Sequence, residues 1–200
     1  MNLILASTSP YRRRLLERLC LPFTCMDPAI EESMRQGELP SDRASRLATE
    51  KVSAAAKTLQ GNAIVIGSDQ VACLDTEILH KPATREAAER QLAASSGQTV
   101  HFWTAVSVWT SPDQAPAQRV VPCEVKMRVL SADEISRYVA LEQPLDCAGS
   151  FKWESLGITL FEAMRTEDPT ALEGLPLIAL SELLRQAGVP LPLAAQSTQH

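Results

Sequence analysis

Several chemistries are missing from this 200-residue chain. No Cys-x-x-Cys pair occurs, and Cys20, Cys25, Cys73, Cys123 and Cys147 have no histidine at ligand spacing, which argues against a zinc site. An odd, scattered set of thiols suits a reducing compartment better than a disulfide framework. Neither Gly-x-x-x-x-Gly-Lys-Ser/Thr nor Gly-x-Gly-x-x-Gly is present, so a P-loop or a dinucleotide fold has no support. No apolar run is long enough to cross a bilayer. The first residues lack the basic-then-apolar pattern of a signal peptide, and the expectation is a cytoplasmic protein with no membrane partner. Excess positive charge is absent as well. Lys and Arg number 19 against 24 Asp and Glu, a net charge of −5, which argues against a nucleic-acid polymer as partner. There is no internal repeat and no low-complexity block.

What is present reads as an ordinary globular protein, 45% hydrophobic and 22% charged. The length suits a single domain over 1–200, with two lobes and a loose tail over 190–200. Strands are expected over 2–7, 22–26, 63–67, 71–74, 78–80, 99–110 and 119–130, the last two as a hairpin. Helices are expected over 9–20, 41–60 (stopped by Gly61), 84–96, 131–141 and 175–187. A Ser131-to-Glu134 capping box opens the fourth helix. Residues 27–39 read as a polar loop, and 146–161 as irregular to extended. The mixture, with its central hairpin, predicts an α/β fold on a mixed sheet.

Against that acidic background, Ala6-Ser7-Thr8-Ser9-Pro10-Tyr11-Arg12-Arg13-Arg14 stands out. Ser9 is a natural N-cap and Pro10 a natural first helical residue. Three arginines then crowd the positive end of a helix, where each cation costs roughly 0.3–1 kcal/mol without a counter-charge. Leu15, Leu16 and Leu19 define the buried face, and Arg12 lies one turn earlier on it; Arg13 is lateral. Backbone N–H groups, the Ser7 and Ser9 hydroxyls and Arg12 thus converge on an anion site suited to polyphosphate. The alternative is a solvated basic turn paired with surface Glu.

Lys51 sits inside the apolar stripe Ala44, Leu47, Ala48, Val52, Ala55, Leu59. Either its ammonium snorkels at the edge, or it enters a cleft to meet an anion. The run Ile64-Val65-Ile66-Gly67-Ser68-Asp69-Gln70 places a carboxylate after a buried strand. Ligands collect at strand ends in open α/β sheets. Gly67 permits close backbone approach, and Asp69 is fit to activate water or bind a divalent metal; the competing reading is an Asp in a turn. Lys81, before Pro82, is a further phosphate ligand or a surface lysine. Gly149-Ser150-Phe151-Lys152-Trp153-Glu154, if extended, puts Lys152 and Glu154 on one face to read a phosphate and a base. The alternative is a surface ion pair flanked by core aromatics.

Four of these stretches, Leu5–Arg13, Gly67–Val71, Lys81-Pro82 and Ala148–Glu154, occur in the order and spacing that closely resemble the Maf nucleotide pyrophosphatases. The resemblance runs from Leu3 to about Leu180. It implies a two-lobed, mixed-sheet fold like that of the inosine-triphosphate pyrophosphatases, with a cleft between the lobes. It also implies hydrolysis of a nucleoside triphosphate to its monophosphate and pyrophosphate, with a divalent cation (Mg, Mn or Co). Asp69 matches the family's proton acceptor and is itself a candidate metal ligand, and Glu32 matches an acidic position in the loop after the second strand, a weaker metal candidate. Ser9, Arg12, Lys51 and Lys81 match phosphate-handling positions, to which Ser7, Arg13 and Lys152 are added as substrate contacts. Tyr11, Gln70 and Glu154 match the specificity positions of the branch acting on 7-methyl-GTP. The dTTP/UTP branch usually has Arg after Ser-Pro. Tyr11 or Trp153 is expected to stack on a methylated, positively charged ring, worth about 0.5–2 kcal/mol. One departure is His80, where many relatives have Gly. A nucleotide-binding regulator of cell division without catalysis is the competing class, and a homodimer is a further expectation.

Overall fold

Three long strands run the length of the molecule, and everything else is hung on them. The computed structural model describes residues 2–59 and 62–192. In chain order the elements are β1 (Asn2–Leu5), α1 (Pro10–Glu17), β2 (Thr24–Cys25), α2 (Pro40–Ala56), β3 (Ala63–Leu74) and β4 (Glu77–Leu79). Then come α3 (Arg85–Ser95), β5 (Thr99–Trp109), β6 (Ala117–Met127), α4 (Ala132–Glu142), β7 (Phe161–Thr166) and α5 (Leu177–Gln186). Short 3-10 turns occupy Ala148–Ser150, Leu156–Leu160 and Pro169–Glu173. The seven strands form one mixed sheet in the order β2-β1-β3-β5-β6-β7, with β4 also on β3. Five α-helices lie among the described residues, which gives the mixed α/β fold that the sequence predicts.

Strand alternation divides the core. Val106 and Val108 of β5 join Leu3, Leu5, Ile64 and Ile66 beneath α1 and α5. Val100 and Phe102, on the same face of the same strand, pack with Ala88 and Leu92 of α3 and Ile135, Tyr138 and Val139 of α4. Thr104 lies between the two groups, fully buried. On the opposite face, α2 covers Ile4, Val65, Val71 and Ala105 with Ala44, Ala48, Val52 and Ala55. The β5–β6 hairpin holds its register from Thr99↔Lys126 to Val108↔Ala117. The capping box also forms: Glu134 N–H donates to Ser131 Oγ at 3.3 Å, and Ser131 N–H to Glu134 Oε2 at 2.8 Å.

Three elements differ from expectation. β3 is one strand of 12 residues, not two pieces broken at Ser68-Asp69-Gln70. β5 pairs with it from Val65↔Trp109 to Leu74↔Val100, and each polar side chain of that run finds a partner, so no turn is needed. Residues 150–154 form no strand: a 3-10 turn and a further turn flank Phe151, and Lys152 and Glu154 do not share a sheet face. β7 follows instead at Phe161, where it completes the sheet against β6. The second helix ends at Ala56, capped at Lys57 and followed by a turn, short of the expected end at Gln60; Gln60, Gly61 and residues 193–200 of the expected tail lie outside the described residues.

Partner exchange along β3 positions the site. Its first part pairs in parallel with β1, from Asn2↔Ala63 to Leu5↔Ile66. Its last part pairs with β4, from Ala72↔Leu79 to Leu74↔Glu77. Between them, over 67–71, β3 has β5 on one edge and no strand on the other among the described residues. Asp69 stands in that interval.

Candidate active site

Gly67 sets the distance between α2 and the sheet. A Cβ there would lie 2.5 Å from the Ala48 carbonyl oxygen and 2.6 Å from Val52 Cγ2. The close approach anticipated at Gly67 is therefore made by a helix and not by a ligand. It brings Lys51, which precedes Val52, down onto Asp69. Lys51 Nζ lies 2.6 Å from Asp69 Oδ1 and 2.7 Å from Glu32 Oε1, with the lysine only 6% exposed. Snorkelling is thereby excluded. Breaking such a buried pair by removing one partner costs about 3–5 kcal/mol.

The two carboxylates sit in unequal environments. Burial pushes Asp69 above its ordinary value, against the pull of Lys51 and Arg12, and the Glu32 charge adds to the rise. At Glu32 burial also pushes upward, but the Lys51 hydrogen bond and the charges of Lys51, Arg12 and Lys81 win, and the group is held low. Opposite displacements of neighbouring carboxyls are the usual mark of divided labour in an acid–base site.

Arg12 behaves as its place on the helix predicts. It bridges from α1 to the 3-10 turn, Nε donating to the Gly174 carbonyl at 2.8 Å. Gly174 adopts φ +102, a conformation that favours glycine, and its carbonyl also lies 2.9 Å from Ser68 Oγ. Ser9 caps α1, its Oγ accepting from Arg12 N–H at 3.4 Å, and Ser9 N–H donates to Ser7 Oγ at 3.1 Å. Ser7, Ser9, Arg12, Glu32, Lys51 and Lys81 line one continuous hollow at the helix start. Adjoining it is a cavity of ≈ 370 Å³ between α2, β3 and β4, lined by Arg12, Glu32, Arg43, Lys51, Asp69 and Lys81 among others.

A second adjoining cavity, ≈ 130 Å³, is walled by Tyr11, Phe102, Phe151 and Trp153, with Gln70, Glu154 and Glu173 also facing it. Gln70 Nε2 donates to the carbonyls of Ala171 (2.8 Å) and Leu172 (3.2 Å), which orients the amide. Tyr11 Oη donates to Asp146 Oδ2 at 2.9 Å. Burial pushes the neighbouring Cys147 thiol up to about 12, so it is no nucleophile.

Two expected contacts do not reach this cleft. Arg13 pairs with Glu17 at 3.1 Å across the exposed side of α1 and lines a separate surface hollow, because its lateral place on the helix turns it outward. Lys152 donates to the Glu142 carbonyl at 3.1 Å, with Asp146 3.9 Å away, since the turn at 153–155 folds it toward α4. Conversely, Arg43 was not anticipated. It is 8% exposed, its Nη2 donates to the Glu32 carbonyl at 2.8 Å, and it stands two helical turns before Lys51. The i, i+4, i+8 row Arg43–Leu47–Lys51 is the signal that would have found it. Glu173 and Gly174 were missed too; Gly174-Leu175-Pro176 is a punctuation signal.

The chain matches the Maf-like protein family over residues 2–187. It is 56% identical to a 7-methyl-GTP pyrophosphatase of Xanthomonas oryzae pv. oryzae, over 96% of this chain and 99% of that one. It is 54% identical to a protein of the same name from Aromatoleum aromaticum, covering 96% of this chain and 98% of that one. Among solved structures, a HAM1 protein from Coxiella burnetii superposes with a TM-score of 0.50 at 14% identity, over 93% of this chain and 99% of that one, a likeness of fold. No helix among the described residues is long and apolar enough to cross a membrane. With the match covering nearly the whole chain and the cleft built from its motifs, the chain belongs to the Maf family.

Proposed function

We propose that the protein hydrolyses the α–β phosphoanhydride of a nucleoside triphosphate, most readily 7-methyl-GTP, to the monophosphate and pyrophosphate. The observation that carries this is the buried Lys51–Asp69 pair, joined by the more exposed Glu32, at the meeting point of a cationic cavity and an aromatic one. The relatives named 7-methyl-GTP pyrophosphatase support the choice of substrate.

The triphosphate occupies the hollow at the start of α1 and the cavity beside α2. Arg12, Lys51 and Lys81 bind it there, and the base lies against Tyr11 and Trp153. Asp69 orients a water and takes its proton as the water oxygen bonds to the α-phosphorus. The α–β bridging bond breaks, and its electron pair leaves on pyrophosphate, stabilised by the surrounding cations. Glu32, held ionised, keeps the Lys51 side chain in place.

Charge balance supports a divalent cation. The larger cavity is lined by Arg12, Arg43, Lys51 and Lys81 against Glu32 and Asp69. A surplus of about two positive charges falls short of the roughly four negative charges of a bound triphosphate. Among the described residues there is no group of three or more acidic, His or Cys side chains fit to hold a metal alone. Two carboxylates do suit a Mg²⁺-type ion, which takes one or two protein ligands and completes its shell with phosphate oxygens and water. Asp69 and Glu32 each have one oxygen on Lys51 and the other without a hydrogen bond among the described residues, so they are the residues that would hold it. The ion would supply neutralisation of the polyphosphate.

The test is release of pyrophosphate from a panel of methylated and unmethylated nucleotides, with and without divalent cations. Asp69→Asn is expected to keep the fold and lose roughly 10²–10⁴ in kcat. A folded Asn variant with near-full turnover would remove Asp69 from the role of base. A wild type that binds nucleotide and releases nothing would make the protein a regulator.

A further inference from the structure

The two ends of the cleft differ in charge. One carries Arg12, Arg43, Lys51 and Lys81. At the aromatic end Arg12 and Lys81 still line the wall, but Asp146, Glu154 and Glu173 face the same cavity as Tyr11, Phe102, Phe151 and Trp153, so acids outnumber bases there. Glu173 is half-buried, and Glu154 is exposed at the rim. Among the described residues neither carboxylate has an ion pair or a hydrogen bond. The carboxyl of Glu173 is pushed up by burial first and by the charge of Glu154 second, so the two groups feel one another. The indole N–H of Trp153, in the same wall, is buried without a partner.

The backbone fixes where Glu173 stands. It ends the Pro169–Glu173 turn, which Asp168 pins by accepting from Thr170 N–H (3.1 Å) and Thr170 Oγ1 (2.6 Å). The next residue, Gly174, is tied through its carbonyl to Arg12. Glu173 is therefore not a stray surface acid. It is attached to the residue that binds the phosphate-handling arginine.

We propose that Glu173, together with Glu154, selects a nucleobase that bears a positive charge, and that Glu173 is a specificity-determining residue for an N7-methylated purine nucleotide. This rests on the pyrophosphatase reading above. Methylation at N7 spreads a full positive charge over the fused rings. In an aromatic cavity that charge gains from the π faces and from both carboxylates at once. A neutral guanine displaces the water around half-buried Glu173 without offering a charge in return, and an unpaired desolvated carboxylate counts against it. Discrimination between the two bases comes as much from this repulsive element as from any hydrogen bond.

The experiment compares kcat/KM for 7-methyl-GTP and GTP in the wild type, Glu173→Gln, Glu173→Asp and Glu154→Gln. Glu173→Gln is expected to lower kcat/KM for 7-methyl-GTP roughly tenfold, mainly through KM, with GTP unchanged or improved. Glu173→Asp, which keeps the charge, should recover most of the preference. Calorimetric titration of 7-methyl-GMP and GMP reads the same ratio without turnover, and is expected to show the same collapse in Glu173→Gln. A parallel loss on both nucleotides, or an unchanged ratio, would overturn the role of Glu173 while leaving the pyrophosphatase reading standing. If Glu173→Gln fails to fold, the Glu173→Asp ratio decides: a preference lost despite the retained charge overturns the proposal. A wild type with no preference for the methylated nucleotide would overturn the substrate choice and this role together.

Discussion

Lys51 presents an ammonium to two carboxylates within 2.7 Å, in a position where only 6% of the residue is exposed. Lys51 draws Asp69 down while burial, the larger influence, drives it up. The sign of a substitution follows. Lys51→Met removes the downward pull, so Asp69 is protonated to a higher pH. The acid limb of the kcat–pH profile is then expected to move toward alkaline pH; a limb that stays in place would separate Asp69 from the rate. Because burial holds Asp69 above its ordinary value already, the wild-type limb should itself stand above that of a free aspartate. Glu32 gives the opposite linkage. Its lowered value contributes stability above the ordinary glutamate range, and that stability is lost as pH falls through the displaced value. Glu32→Gln is expected to flatten the acid side of the stability profile measured by urea unfolding.

Among the elements, α2 and the Pro169–Glu173 turn do most to set the cleft. Gly67→Ala would thrust a methyl group to within 2.5 Å of the Ala48 carbonyl. α2 must then shift outward, at a cost of roughly 1–3 kcal/mol. Lys51 travels with it, so kcat should fall by more than the folded fraction does; parallel melting and kinetic measurements check this. Asp168 is 2% exposed and accepts from Thr170 and Ile178, joining the turn to the start of α5. Asp168→Ala strands those N–H groups, and roughly 2–4 kcal/mol of stability is expected to go with them, read as a lower urea midpoint. These same elements show what the sequence could tell. Helices and the hairpin were legible because their apolar periods are regular and their caps, Ser9 and Ser131, are local. Arg12, Lys51 and Asp69 were legible because each breaks a pattern: a cation at a positive helix end, a lysine in an apolar stripe, an acid after a buried strand. The continuity of β3 was not. Its polar centre reads as a turn until Lys51, Thr104 and Gly174, which lie far away in the chain, are known to satisfy it. Arg13 and Lys152 failed for a related reason. Their motif placed them beside the site, whereas rotation about a helix and one turn decide which way they reach.

For the molecule as a whole, the cleft is a place where groups from distant parts of the chain depend on one another. Arg12 comes from the first helix, Lys51 from the second, Asp69 from the third strand and Gly174 from just before the last helix. A ligand that spans them should act as a staple. A nucleotide at a hundred times its Kd stabilises a folded protein by about 2.7 kcal/mol, roughly 5–10 °C in Tm for a chain of this size. Triphosphate added to Asp69→Asn is expected to give a rise of that order. A melting point indifferent to nucleotide would mean that these groups do not share a ligand.

The interval at 67–71 has one more outcome. Successive residues of a strand direct their backbone groups to alternate edges. Ile66 offers its carbonyl to Ala6 on the β1 side, so Ser68 and Gln70 direct theirs to the same side, where no strand pairs with them among the described residues. An open edge usually invites another protein chain. Here the interval is five residues long, with only Ser68 and Gln70 facing that edge, and is fenced by β1 and β4, too short to seat a foreign strand. With Ser68 fully buried, only Gln70 of that edge reaches the wall of the cleft, so the sheet margin serves the pocket and offers nothing to a second polypeptide.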